Sequence, residues 1–414
     1  MEEVNHGFSS WLQAPGHAAW LAQEGIRLLA FAKAAKLPQG FGNLDDEGHL
    51  PEHARAETMN TARMTHSFAL AHIAGIPGCS ALIDHGIAAL RGPLRDAEHG
   101  GWFATALAQG TDDGKAAYLH AFVALAASSA VVADRPGASE LLADAIDVLE
   151  THFWSAEEGA LRESFARDWS HEEAYRGANS NMHGTEAFLA LADVTGDSKW
   201  LDRALSIVER VIHTHAATNG FQVVEHFSLD WQALPDYNQD NPADGFRPFG
   251  TTPGHAFEWS RLLLHLEAAR RQAQLPTPDW LLEDATLLFD GACRYGWNVD
   301  NAPGIVYTLD WQNRPVVGHR LHWTHAEACA SSAALLQRTG EKQYEDWYRL
   351  FWEFNETYFI DRIHGSWRHE LNPQNQPSAD IWPGKPDLYH AYQATLLPLL
   401  PLAPSLATGL ARLG

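Results

Sequence analysis

Apolar residues recur along the chain in two helical rhythms. One set of segments is amphipathic, with charges on one face and Leu, Ile or Val on the other, as in KWLDRALSIVERVI (199–212) and WLLEDATLLF (280–289). These segments begin near Ala18, Gly78, Gly137, Ser198, Pro276 and Glu341, at gaps of 60, 59, 61, 78 and 65 residues. A second set lies between them and is apolar all round, with small residues for close packing. Its members are TARMTHSFALAHIA (61–74), AAYLHAFVALAASSAVV (116–132), NMHGTEAFLALADV (181–194), PGHAFEWSRLLLHL (253–266), THAEACASSAALLQ (324–337) and DLYHAYQATLLPLL (387–400). A helix without a polar face is surrounded by protein. Six outer helices alternating with six inner ones predict an all-α fold, an (α/α)6 barrel over residues 1–414 as one domain. A two-domain helical solenoid explains the apolar inner set less well, because a solenoid exposes a concave face.

A third repeat follows the outer helices. GGWFATAL (100–107), EGALRESFARD (158–168), NGFQVVEHFSLDW (219–231), PGIVYTLDW (303–311) and HGSWRHEL (364–371) each open with Gly near an aromatic or aliphatic run. They read as short strands or hairpins joining an outer helix to the next inner one.

Composition narrows the chemistry. The chain has 414 residues with 29 Lys+Arg and 52 Asp+Glu, a net charge of 29 − 52 = −23. That argues against nucleic acid, whose phosphates need a basic surface, and against anionic membrane surfaces. The apolar stretch 116–133 is just long enough to span a bilayer, but a buried helix of a large globular protein reads the same way. The Leu-rich tail TLLPLLPLAPSLA (395–407) is broken by prolines and is no anchor. Cys79, Cys293 and Cys329 form neither a disulfide framework nor a C-x-x-C pair, which fits a reducing cytoplasm. The acidic N-terminus, MEEVNHGFSS, does not read as a signal peptide. The oligomeric state stays open.

The 23 His are the unusual feature. Each inner segment carries one near its start: His66, His120, His183, His255, His325 and His390. A barrel brings these starts to one end, around one pocket. The long connections 218–252 and 298–322 add aromatic, acidic and amide residues with Arg247, a mixture suited to a sugar's C–H faces and hydroxyls. A lone His on an apolar helix is more often a satisfied core residue than a catalyst, and His66 and His120 sit deeper in their runs. The chemical reading is stronger where a carboxylate lies one turn on, as with His255 and Glu258 or His183 and Glu186. Such a neighbour shares the helix face and can fix the imidazole tautomer. Glu186 reads equally as a buried helix–helix partner. A required metal is disfavoured: the order is His-x-x-Glu, not the Glu-x-x-His of carboxylate-bridged sites, and no H-E-x-x-H occurs. His319, His322 and His325 are three apart, and His213 and His215 look like a solvated surface pair. Glycoside hydrolysis needs two carboxylates flanking the bond, whereas the inner-helix starts are rich in His.

These residues, with DHGIAALRGPLRDAEHGGWFA (84–104), RGANSNMHGTEAFLALADVTGDSKWLDRAL (176–205), DYNQDNPADGFRPFGTTPGHAFEWSRLLLHL (236–266) and KPDLYHAYQATLLP (385–398), resemble the N-acylglucosamine 2-epimerase family across nearly the whole chain. The resemblance is strongest to its aldose–ketose isomerase branch. It implies an (α/α)6 barrel and a monosaccharide substrate. It also implies cofactor- and metal-independent interconversion of D-mannose and D-fructose through a cis-enediol(ate). A sugar 2-epimerase, a sulfoquinovose isomerase, or a barrel that binds sugar or protein without catalysis are the alternatives. By matching motif positions, the resemblance implies catalytic roles for Arg63, His183, His255, Glu258, Glu327 and His390. It assigns sugar contacts to Tyr118, Asn179 and Arg247, and Trp323 is expected one turn from Glu327. His255, supported by Glu258, is expected to move the C1/C2 proton. His390 is expected to open the ring, with Arg63 and His183 stabilising charge on O1 and O2.

Overall fold

A computed structural model describes residues 9–106 and 114–413. The start of the N-terminal segment and the last residue of the first connector, Leu107, lie outside the described residues. In chain order the helices are α1 (Pro15–Ala32), α2 (Thr58–Ile73), α3 (Ser80–Arg91), α4 (Ala117–Val132), α5 (Ala138–Val148), α6 (Ala178–Thr195), α7 (Lys199–Val208), α8 (Pro253–Gln272), α9 (Trp280–Gly296), α10 (His322–Thr339), α11 (Lys342–Phe354), α12 (Tyr389–Leu396) and α13 (Leu406–Leu413).

Helices α2, α4, α6, α8, α10 and α12 pack side by side, and α12 returns to α2. That closed ring is the inner layer of an (α/α)6 barrel. Each of α3, α5, α7, α9 and α11 packs outside the inner helix that precedes it, and α1 covers α12. The first outer helix thus backs the last inner one, which ties the two ends of the chain together. Helix α4 shows why the inner set needs no polar face: twelve of its 16 residues are buried. Its Ser128 and Ser129 hydroxyls donate back to the carbonyls of Ala124 and Leu125, so they are satisfied within the helix. No helix among the described residues is long and apolar enough to cross a membrane.

Two elements differ from the pattern. Helix α12 stops at Leu396 and becomes a tight turn through Leu399, because Pro398 and Pro401 deny the segment its last helical turns. The proline-broken tail then resumes as α13, which packs across α2, α4 and α6 at the far end of the barrel.

The connectors do more than join helices. The N–H groups of Thr58, Ala117, Ala178 and His322, which open α2, α4, α6 and α10, donate to the carbonyls of Ala104, Glu163, Glu225 and His369. Antiparallel pairs extend this contact, with Arg176 and Gly177 opposite Phe227 and His226, and Arg320 and Leu321 opposite Leu371 and Glu370. Each connector therefore reaches back to the start of the inner helix in its own repeat. This satisfies backbone donors that a helix start leaves unpaired. It also gathers every connector at one end of the barrel.

Candidate functional site

That end holds a pocket of about 650 Å³, solvent at its mouth included. All six inner helices or their entries line it: Met59, Asn60 and Arg63; Tyr118; Asn179 and His183; His255 and Glu258; His322 and Trp323; Asp387 and His390. The second residues of α2, α4, α6 and α10 are Met59, Tyr118, Asn179 and Trp323. One turn deeper, the sixth residues of α2, α6 and α8 are Arg63, His183 and Glu258. The wall is thus two layers of side chains spaced by the helical repeat. Gly254 holds the second position of α8, and a Cβ there would sit 2.6 Å from the Trp323 ring. Only glycine lets that indole lie against α8. Gly245, Phe246 and Trp382 complete the lining from loops, with the Phe246 and Trp382 rings edge to face at 5.0 Å.

Two imidazole–carboxylate pairs face this space. The Nδ1 of His255 lies 3.0 Å from both carboxylate oxygens of Glu225. The Nδ1 of His390 lies 2.5 Å from Oδ2 of Asp387. A carboxylate on Nδ1 orients each ring and leaves Nε2 for chemistry. The Trp323 ring is 5.1 Å from the His255 ring and 5.9 Å from that of His390, so both pairs border the same indole. Asp387 also lies 3.5 Å from Arg63 and 3.6 Å from His322. Burial alone would raise its carboxyl, but His390 and Arg63 outweigh burial and hold it well below the ordinary range. Arg63 in turn donates to the Tyr118 hydroxyl at 2.8 Å, and burial pushes that phenol up to about 12. His322 stacks on His369 at 3.9 Å. Burial lowers both imidazoles, His322 to about 4, so both are neutral near pH 7.

Beneath lies a buried charge network. Arg261 donates to Glu327 at 2.8 and 3.2 Å and stands 3.7 Å from both Glu186 and Glu258. One guanidinium faces three carboxylates. Burial, with the negative charge of Glu327, pushes the Glu258 carboxyl well up from the ordinary carboxylate range. Its Oε1 has no hydrogen-bond partner among the described residues, and neither does Nδ1 of His183. His183 lies 3.7 Å from Glu186 and from Glu258, and burial lowers it to about 3. A wall with a buried carboxyl, neutral imidazoles, a guanidinium and unpaired buried polar atoms suits a neutral polyhydroxyl ligand.

Of the residues singled out from sequence, Arg63, Tyr118, Asn179, His183, His255, Glu258, Trp323 and His390 come together here. Glu327 does not reach the pocket; it sits under it, bound to Arg261. Arg247 is not brought in either. Its guanidinium grips Glu173 at 2.7 and 3.0 Å and covers the Tyr175 ring in an adjoining groove. The support expected from Glu258 for His255 is corrected: the carboxylate on that imidazole is Glu225, while the i+3 position carries Glu258 down toward Arg261. Three inner-helix histidines point away from the pocket. His66 bonds Ser129 at 2.7 Å. His120 and His325 accept the N–H groups of Trp102 and Ile305 at 3.2 and 3.0 Å. His213 is at the surface, with its side chain 39% exposed, but it also pairs with Asp284 at 2.9 Å and stacks on Trp280. Sequence reasoning missed Glu225, Asp387, His322, His369 and Trp382. Glu225 and His369 occupy one repeat position, a titratable residue four or five places after the connector Gly220 or Gly365. That alignment was the signal for them.

Three groups of ligand-type atoms lie within 4.8 Å of one another at or under the pocket: His322, Asp387 and His390; His183, Glu186 and Glu258; and Glu258, Glu327 and His390. Arg63 or Arg261 stands within 3.7 Å of a carboxylate in each. A guanidinium already supplies the positive charge a metal would bring, so these groups do not fit a resident cation.

Comparison with known proteins places this geometry. The family model of N-acylglucosamine 2-epimerase (GlcNAc 2-epimerase) matches residues 40–394. A D-mannose isomerase of Pseudomonas cannabina pv. alisalensis is 75% identical over 413 residues, covering 100% of both chains. A D-mannose isomerase of Thermobifida fusca is 54% identical over 410 residues, covering 98% of this chain and 99% of its own. A crystal structure of a D-mannose isomerase superposes with a TM-score of 0.86 at 28% identity, covering 94% of this chain and 99% of that one. The cellobiose 2-epimerase of Spirochaeta thermophila shares the fold at a TM-score of 0.79, 21% identity, and 92% and 95% coverage.

Proposed function

The chain belongs to the N-acylglucosamine 2-epimerase family, and we propose that it is an aldose–ketose isomerase interconverting D-mannose and D-fructose. The observation that carries this reading is the pair of carboxylate-oriented imidazoles, His255 and His390, bordering one indole in a pocket that Phe246 and Trp382 also line. The D-mannose isomerases similar to it along its full length support the choice of sugar.

Ring opening needs two proton transfers at oxygen, and the isomerisation that follows needs two more at oxygen and two at carbon. Ring opening moves the O1 proton to a base and places a proton on the ring oxygen, and His390 performs this exchange while Asp387 orients it. His255, held by Glu225, then takes the C2 proton. The C–H electron pair becomes the C1=C2 bond of a cis-enediol(ate), and O1 gains a proton. Loss of the O2 proton and return of a proton from His255 to C1 completes the ketose. Negative charge builds on O1 and O2 between these steps. Arg63, neutral His183 and protonated Glu258 donate toward it, and donors fixed before the reaction are worth most in a pocket that excludes water.

His255→Ala and His390→Ala each lose about 10²–10⁴-fold in kcat with an unchanged circular-dichroism spectrum. Fructose formation from D-mannose is the assay. Near-normal turnover in either variant contradicts the proposal. The three cysteines are free and buried, in keeping with a reducing compartment such as the cytoplasm.

A further inference from the structure

A second cluster lies outside the pocket, where the segment carrying Trp382 meets the paired strands ahead of α10. Glu370 is fully buried, and its carboxylate accepts the backbone N–H groups of Asp380, Ile381 and Trp382 at 3.1, 2.8 and 2.7 Å. Nε2 of His319 stands 3.1 Å from Oδ2 of Asp380 and 3.6 Å from Oε1 of Glu370. All three ligand atoms lie within 4.8 Å of one another.

We propose that His319, Glu370 and Asp380 form a binding site for a first-row divalent cation of the zinc type, with its fourth position open to water. Geometry is the first support. Zinc bonds of about 2.0–2.2 Å in a tetrahedron put neighbouring ligand atoms about 3.3–3.6 Å apart, and the two His319 distances fall at or close to that range. Charge is the second support. The three groups at the pocket are each neutralised by Arg63 or Arg261, but no Lys or Arg pairs with Glu370 or Asp380 among the described residues. The adjacent Arg320 is taken by Asp300 at 2.5 and 2.7 Å. Access is the third: the Asp380 side chain is 73% exposed and that of His319 20%. One imidazole with two carboxylates selects zinc-like ions over magnesium or calcium, which prefer oxygen alone. An ion bound through Oε1 leaves Oε2 on the amides of Ile381 and Trp382. It therefore staples the segment that places Trp382 over the pocket.

The test is equilibrium dialysis of the full chain against zinc chloride, beside His319→Gln and Asp380→Asn. Neither side chain lines the pocket. The wild type is expected to bind one zinc equivalent more than either variant, or to bind that equivalent at least tenfold more tightly. Equal zinc binding in all three proteins overturns the site, as does loss in only one of the two variants. A zinc-soaked crystal is expected to show an anomalous peak beside Nε2 of His319, and a peak only elsewhere also overturns it.

Discussion

Replacing Glu225 by Gln keeps the shape beside His255 but puts an amide where the carboxylate holds Nδ1. We expect kcat to fall at least about tenfold, since the carboxylate on Nδ1 fixes the tautomer and orientation of the imidazole. Asp387→Asn does the same for His390 and also strips Arg63 and His322 of their shared partner. Steady-state kinetics check both, and wild-type turnover in Glu225→Gln contradicts the pairing. Glu258→Gln, which keeps a hydrogen-bond donor, is expected to retain more activity than Glu258→Ala, because the role proposed for Glu258 is donation toward O1 and O2. At this scale the sequence exposed residues that share a helix face. His183, His255 and Glu258 were legible because i, i+3 and i+4 spacing survives folding. Glu225 was not, because it reaches His255 through a connector pairing 30 residues away.

The inner-helix histidines separate at the scale of the element. The fourth residues of α2, α4, α6 and α10 are Thr61, His120, Asn181 and His325, and each accepts a connector N–H, from Phe41, Trp102, Leu161 and Ile305. This repeated bond seats the connector on the helix start. His120→Phe or His325→Phe leaves a buried N–H unpaired and is expected to cost about 1–3 kcal/mol, read by chemical denaturation with activity retained at lower temperature. The entry to α12 is held differently. Lys385 donates to Asp361 at 2.7 Å. Burial would raise the Asp361 carboxyl, but Lys385 and the N–H groups of Ile363 and His364 bring it down to about 2. That stabilisation is full above the ordinary carboxylate range and is lost as pH falls through about 2. Asp361→Asn should therefore lower Tm at pH 7 and matter little at pH 2. The inner and outer helices were readable because burial on all sides and burial on one side leave different patterns. Helix α13 was not, because eight residues after a proline-broken run carry too little periodicity to separate helix from tail.

The ring closure from α12 to α2, with α1 covering α12, argues that the chain folds as one unit, and a single coincident unfolding transition by fluorescence and circular dichroism is the expected result. Burial lowers His66 and His322 to about 4 and His120, His183 and His325 to about 3. An unfolded chain protonates these side chains near pH 6.5, so stability is full above that value and declines toward about pH 4. Each contributes up to about 1.4 kcal/mol per pH unit in that window, which a Tm series from pH 8 to pH 4 reads directly. The count of six helix-start histidines was visible in the sequence, but their division between scaffold and pocket depends on which way each ring turns inside the closed barrel. The central claim rests on proton transfer at C1 and C2 by that barrel's histidines without a metal. Proton NMR of D-mannose incubated with the enzyme in deuterated water containing a chelator tests it most directly. The account predicts D-fructose at an undiminished rate, whereas D-glucose without fructose, or no reaction until metal is restored, would contradict it.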